Sequence, residues 1–206
     1  MEPIQPILTE RLELRPLTSL DTAALQTFRG HPDAVRYLSH GALTAEQTGQ
    51  LLEGLLARAE QSSAGWYHFG WAIVLRSAGT VIGDGRTWNT AEPPLPGSLP
   101  ARFASLGYLL HPDHHGNGYG REAAGALVRW LFTRRGADAV LAGVYEPNTA
   151  SRRLLESLGF AKDRYFTAGQ DTHGKGLPSW RYRLDKEAWS AGPPYGHNST
   201  PGGSRR

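Results

Sequence analysis

The sequence predicts an α+β fold, a layered α/β/α domain in which one mixed, twisted central sheet is flanked by helices. Three observations lead there. Segments with strand alternation and segments with helical spacing interleave along most of the 206 residues, the order that builds a mixed sheet with helices on its faces. A hydrophobic fraction of 39%, with six Trp, eight Tyr and six Phe, is enough for a core of domain size. A long amphipathic helix runs between two apolar strands in the second half of the chain. Residues 1–190 are therefore expected to form one domain. Residues 191–206, dominated by Gly, Pro and Ser without apolar periodicity, are expected to be a flexible tail.

Each element has its own signal. Residues 8–17 alternate, with Leu12 and Leu14 against Glu13 and Arg15, and read as a first strand. Residues 20–28 and 45–59 carry helical spacing, the second placing Leu51, Leu52, Leu55 and Leu56 together. Residues 69–75 and 80–88 are apolar runs on either side of a polar turn ending at Gly79, a hairpin pattern. Asp84, after Gly83, is expected at a strand bend. The Pro-rich residues 89–100 read as a long surface loop, and 106–110 as the next strand. The helix over 118–135 has Ala123, Leu127 and Leu131 at four-residue steps, with Ala124 and Val128 beside them, and stops at Arg134, Arg135 and Gly136. Residues 140–145 form a strand, 149–158 a helix stopped by Gly159, 160–166 a strand and 180–184 a last alternating strand.

Composition excludes several classes. There is no cysteine, so disulfides, thiolate metal sites and thiol nucleophiles are absent. No stretch reaches the roughly 18 apolar residues of a membrane span, and the first residues lack a signal-peptide pattern, so a cytoplasmic protein without a membrane partner is expected. The net charge of +3 comes from 22 basic and 19 acidic residues. The basic residues are scattered arginines, which does not make a nucleic-acid face. His111, His114 and His115 have no carboxylate at metal-ligand spacing, so no metal is expected.

The most informative stretch joins the strand ending at Leu110 to the long helix through His115-Gly116-Asn117-Gly118-Tyr119-Gly120-Arg121. Its glycines let successive backbone N–H groups converge, and the helix dipole adds positive potential at the same point. That geometry suits a phosphate or pyrophosphate. It does not match the P-loop spacing or a ribose-binding dinucleotide fingerprint.

On these residues the chain resembles the GCN5-related N-acetyltransferases over most of its length. His115 to Gly120 follow that family's acyl-CoA loop, Gln/Arg-x-x-Gly-x-Gly/Ala, with His115 in place of Gln or Arg. Glu146 to Phe160 resemble its second motif, through Asn148, Ser151 and Gly159-Phe160. The start Thr9-Glu-Arg-Leu-Glu-Leu-Arg-Pro16 and Ser151 resemble the branch of ribosomal-protein alanine N-acetyltransferases.

The resemblance implies a sheet whose central strands splay apart, after Leu110 and Tyr145, to admit acetyl-CoA as cosubstrate. It implies that backbone N–H groups of His115, Gly116, Asn117, Gly118, Tyr119 and Gly120 hold the pyrophosphate and that the Leu110 main chain pairs with the pantetheine arm. Arg121, and Arg152 or Arg153, are candidates for CoA phosphate contacts. Asn148 either bonds the pantetheine or serves as a helix N-cap. Ser151 is the candidate acid that stabilises the leaving thiolate; the Tyr that many relatives use is here Leu155. The base is open between Ser105, through an ordered water, and Glu146. Glu92, Glu146 and Asp171 are candidates to attract a cationic acceptor. The expected reaction is direct acetyl transfer to a primary amine of a protein N-terminus, small molecule or amino sugar, by a monomer or homodimer. The alternative is a CoA-binding regulatory module that has lost turnover.

Overall fold

The computed structural model describes residues 4–63, 65–90, 102–171 and 174–190. In chain order these form β1 (Ile7–Leu8), β2 (Leu12–Pro16), α1 (Thr22–Arg29), α2 (Pro32–Val35), α3 (Ala45–Glu60), β3 (His68–Leu75), β4 (Thr80–Thr90), β5 (Phe103–Leu110), α4 (Tyr119–Arg134), β6 (Ala139–Tyr145), α5 (Thr149–Ser157), β7 (Ala161–Phe166), β8 (Ser179–Asp185) and α6 (Lys186–Ser190). The strands make one mixed sheet in the order β1-β2-β3-β4-β5-β6-β8-β7. Among the described residues only β5 and β6 pair in parallel. No helix is long and apolar enough to cross a membrane.

Strand alternation sorts side chains onto two cores. Phe69, Trp71 and Ile73 of β3 pack with Leu127, Trp130 and Leu131 of α4 on one face. Ala72 and Val74 pack with Leu25, Phe28, Leu52 and Leu55 of α1 and α3 on the other. The α4 contact is close: a Cβ on Gly85 of β4 would lie 2.9 Å from Leu127 Cδ1. α3 starts with a reciprocal capping pair, Thr44 accepting from the Gln47 N–H and the Gln47 side chain from the Thr44 N–H.

Several expectations need adjustment. The first strand, read over 8–17, is split by a turn in which the Thr9 N–H and hydroxyl both donate to the Leu12 carbonyl. β4 continues through Asn89 and Thr90, the first residues of the expected loop; the rest of that loop, Glu92 within it, and residues 191–206 lie outside the described residues. Asp84 is a paired position of β4, opposite Ala72 and Leu109, and the bulge lies just before Gly83, where Ile82 is the extra residue of β4 facing the Ile73/Val74 step.

The sheet also opens earlier than expected. β5 and β6 are paired only from Phe103 to Ser105 against Ala139 to Leu141, so the wedge begins at Leu106 and Ala142 rather than beyond Leu110 and Tyr145. The cause lies in competing partners. β5 stays on β4 to Leu110 and β6 stays on β8 to Tyr145, and sheet twist carries the two pairs apart.

Candidate active site

The wedge is the mouth of a cleft of about 1310 Å³ that passes between β5 and β6 and reaches both faces of the sheet. The His111 N–H donates to the Ile82 carbonyl at 2.8 Å. Antiparallel ladders alternate, so the peptide groups of Tyr108 and Leu110 face away from β4, into the wedge. The Leu110 carbonyl lies 3.1 Å from His115 Nε2, which leaves its N–H as the available group.

The glycine loop lines one end. Gly116 and Gly118 have φ of 77° and 79°, the left-handed region that a Cβ disfavours. Gly118 is the N-cap residue of α4 and offers no side-chain cap, so N–H groups of the first helical turn are open to an anion. Gly120 has another role. A Cβ there would lie 3.0 Å from Leu154 Cδ1 and 3.6 Å from Leu110 Cδ1, so its smallness lets α4 pack on α5. The loop is braced from the β1–β2 turn: Arg11 donates to the Asn117 carbonyl at 2.9 Å, pairs with Glu122 at 2.7 Å and lies over the Tyr119 ring. Arg11 and Thr9, noted in sequence only as part of a family-like start, are therefore supports for this loop.

The opposite wall comes from α5. Asn148 is its N-cap, accepting from the Ser151 N–H at 3.2 Å, and this fixes the start of the helix that carries Ser151. The Ser151 Oγ lies 2.9 Å from the Tyr108 phenol of β5. Burial pushes the Tyr108 phenol up to about 12, against a smaller opposing effect of the Ser151 hydrogen bond, so it stays protonated at neutral pH. The pair bridges the wedge between strand and helix.

On the α1 and α2 side, the cleft is walled by the buried Arg29–Asp84 ion pair, with contacts of 2.5, 2.7 and 3.1 Å. His40 Nε2 lies 3.3 Å from Arg29 and Nδ1 lies 2.7 Å from the Gly41 carbonyl, the pattern of a neutral ring. Burial, partly offset by the Gly41 contact, and the nearby Arg29, Arg86 and Lys175 charges hold its pKa down. Ser105 Oγ and Thr90 Oγ1 are 2.5 Å apart. Among the described residues three carboxylates line the cleft, and each has donors: Asp84 from Arg29, Asp33 from Arg36, and Asp171 from the Tyr145 hydroxyl at 3.1 Å and the N–H groups of Lys175 and Gly176. The Tyr145 phenol is pushed up to about 12 by burial and by the Asp171 carboxylate.

Of the residues singled out in the sequence, Ser105, Leu110, His115, Gly116, Gly118, Tyr119, Gly120, Arg121, Asn148, Ser151, Arg153 and Asp171 line this cleft. Three candidates do not. Asn117 turns its carbonyl to Arg11. Glu146 accepts from the Tyr165 hydroxyl at 3.2 Å, away from the wedge. Arg152 donates to the Glu146 carbonyl and the Tyr182 hydroxyl, because it stands on the flank of α5 that packs on β8; its neighbour Arg153 faces the cleft. Sequence reading missed Tyr108, Arg86 and Trp180 as lining residues. Tyr108 had a signal, since Gly107-Tyr108 occupies the central strand that leads to the glycine loop; the other two had none.

The family model for the acetyltransferase (GNAT) domain matches residues 11–161. The chain is 30% identical over 160 residues to the uncharacterised N-acetyltransferase YoaA of Bacillus subtilis (strain 168), covering 77% of this chain and 84% of that protein. It is 26% identical over 194 residues to an FsC-acetyl coenzyme A-N(2)-transacetylase of Aspergillus fumigatus, covering 90% and 78% respectively. Among solved structures, the ribosomal L7/L12 alpha-N-protein acetyltransferase RimL in complex with coenzyme A superposes with a TM-score of 0.72 at 17% identity, covering 89% of this chain and 99% of that one.

Proposed function

Because this chain belongs to the GNAT acetyltransferase family, we propose that it transfers an acetyl group from acetyl-CoA directly to a primary amine, in the wedge between β5 and β6. The observation that carries this reading is the alignment of two features across one cleft: the uncapped N-terminus of α4 at one end and the Tyr108–Ser151 hydroxyl pair on the path inward.

The cleft fits the cosubstrate. Backbone N–H groups of Gly116, Gly118, Tyr119 and Gly120 would hold the pyrophosphate, with Arg121 and Arg153 beside them for phosphate charge. The Leu110 N–H would meet the pantetheine amide. When bound, acetyl-CoA supplies an activated acyl group and a thiolate as leaving group. The Tyr108 phenol, or Ser151 through it, would donate a hydrogen bond or proton to the developing sulfur anion, and the protonated state of Tyr108 suits that role.

Deprotonation of the amine has a weaker candidate. Ser105 and Thr90 offer hydroxyls that can relay a proton but are not strong bases, and the cleft carboxylates among the described residues are engaged by donors. Positioning of an already neutral amine beside the thioester would then supply most of the acceleration. The same observation favours, as second reading, a CoA-binding module without turnover. The acceptor differs between the relatives named above, so family membership does not choose it.

Calorimetric titration with acetyl-CoA and desulfo-CoA, followed by thiol release over a panel of peptide amines, polyamines and amino sugars, tests both readings. Binding with turnover supports the enzyme. Binding without turnover on any class favours the second reading, and absence of CoA binding overturns both.

A further inference from the structure

β4 sends alternate side chains to opposite faces. Thr87 accepts from Trp71 Nε1 on the α4 face, while Asp84 meets Arg29 of α1 on the other. Arg86 shares the face of Asp84, away from the glycine loop and α4, and lines the cleft beside Trp88, Ser105 and Gly107. Its Nε and Nη2 are buried and have no hydrogen-bond partner among the described residues. Two guanidinium N–H groups held out of contact with water and without a partner are unfavourable. Asp84, the nearest acid, is taken by the bidentate contact with Arg29. The histidines on this side, His40 and His68, are both held toward their neutral forms, His68 by burial and by the Arg58 and Arg86 charges.

Space is left where a partner would sit. Arg86 stands opposite Gly107 across the β4–β5 ladder, and a Cβ on Gly107 would meet nothing closer than the Trp88 ring at 3.9 Å. Burial, with the Arg29 charge, holds the Arg86 pKa down to about 10 despite the attraction of Asp84. It is still a cation at neutral pH. CoA phosphates would bind at the α4 end, on the other face of the sheet, so they do not satisfy it.

We propose that Arg86 anchors a carboxylate or phosphate carried by the amine acceptor, so that the substrate class is anionic amines rather than polyamines or aminoglycosides. This rests on the acetyltransferase reading. It also reverses the expectation that acidic residues draw in a cationic acceptor, since Asp171 is engaged by Tyr145, Lys175 and Gly176 and Glu146 lies outside the cleft. The planar fork of Arg86, whose Nε and Nη2 lack a hydrogen-bond partner among the described residues, matches two oxygens of one anion. The amine of the same molecule would then extend past Gly107 toward the wedge.

The test uses the full chain labelled with ¹⁵N, with the Arg86 Nε–H resonance identified by its loss in Arg86→Lys. Titration with acetate and with inorganic phosphate is expected to shift this resonance saturably, the tighter of the two giving the anion class, whereas acetamide leaves it in place. No saturable shift with either anion, or an equal shift with acetamide, overturns the proposal. A second arm measures kcat/KM for matched acceptors, amino acids against their amides and phosphoethanolamine against ethanolamine. The anionic member is expected to be better by about tenfold or more, the effect of one charged hydrogen-bonded contact, and Arg86→Gln to bring the ratio near one. A neutral or polycationic amine that is the best acceptor and is untouched by Arg86→Gln also overturns it. Acetyl-CoA affinity is measured on the same samples. Its absence defeats the acetyltransferase reading, whereas intact acetyl-CoA binding with an unresponsive Arg86 defeats only this one.

Discussion

Removing the Tyr108 hydroxyl is the most direct test of how the wedge handles the leaving group. The phenol and the Ser151 Oγ are 2.9 Å apart and both line the cleft. Tyr108→Phe keeps the ring and its packing, so stability should fall only by the roughly 1 kcal/mol of a neutral hydrogen bond. The effect on chemistry should be larger. A hydrogen bond to a charged group contributes about 1.5–3 kcal/mol, and each 1.36 kcal/mol is about tenfold in rate, so kcat should drop by about 10- to 150-fold. Acetyl-CoA affinity should stay within a factor of about two, because the contacts that hold the pyrophosphate lie elsewhere. Ser151→Ala should behave alike. If the two hydroxyls act as one relay, the double variant should be no slower than the worse single one; if each donates independently, the losses should multiply. Thiol release at saturating acetyl-CoA gives kcat, and calorimetry gives the affinity. A Tyr108→Phe enzyme with kcat unchanged would refute the assignment of thiolate stabilisation to this pair.

Three further outcomes follow from the packing. Asp84→Asn leaves Arg29, 4% exposed, without its counter-ion beside the equally uncompensated Arg86; urea unfolding should show a loss of about 3–5 kcal/mol, and replacing both members of the pair by apolar residues should recover most of it. Gly118→Val forces a β-branched residue to φ 79° and brings its Cβ 3.4 Å from Arg11 Nη2, so calorimetry should show acetyl-CoA binding lost in a folded protein, whereas Gly120→Val should act first on the contact of α4 with Leu154 and register in thermal stability. His68 is pushed down to about 4 by burial and the Arg58 and Arg86 charges. The unfolded chain therefore binds the extra proton first, and stability should fall as pH drops from about 6.5 toward 4; His68→Phe should flatten that limb in denaturation curves taken across the window.

The local code was readable without coordinates. Four-residue apolar steps placed α4, Gly136 stopped it with φ 63°, and the spacing of Leu51, Leu52, Leu55 and Leu56 placed α3, because caps and periodicities depend on residues a few positions apart. The glycine loop was legible for the same reason: the positive φ of Gly116 and Gly118 is local backbone geometry that glycine favours. Tertiary structure decided what depends on distant partners. It put Arg152 on Tyr182 and Arg153 in the cleft, two adjacent residues turned apart by the roughly 100° step of a helix that packs on β8. It opened the wedge at Leu106 because β4 and β8 hold β5 and β6 apart. It joined Tyr108 to Ser151 across 43 positions and Arg29 to Asp84 across 55. It also left Arg86 Nε and Nη2 without a hydrogen-bond partner among the described residues, a fact no spacing encodes, because whether a charge is satisfied depends on every group that the fold brings within its reach.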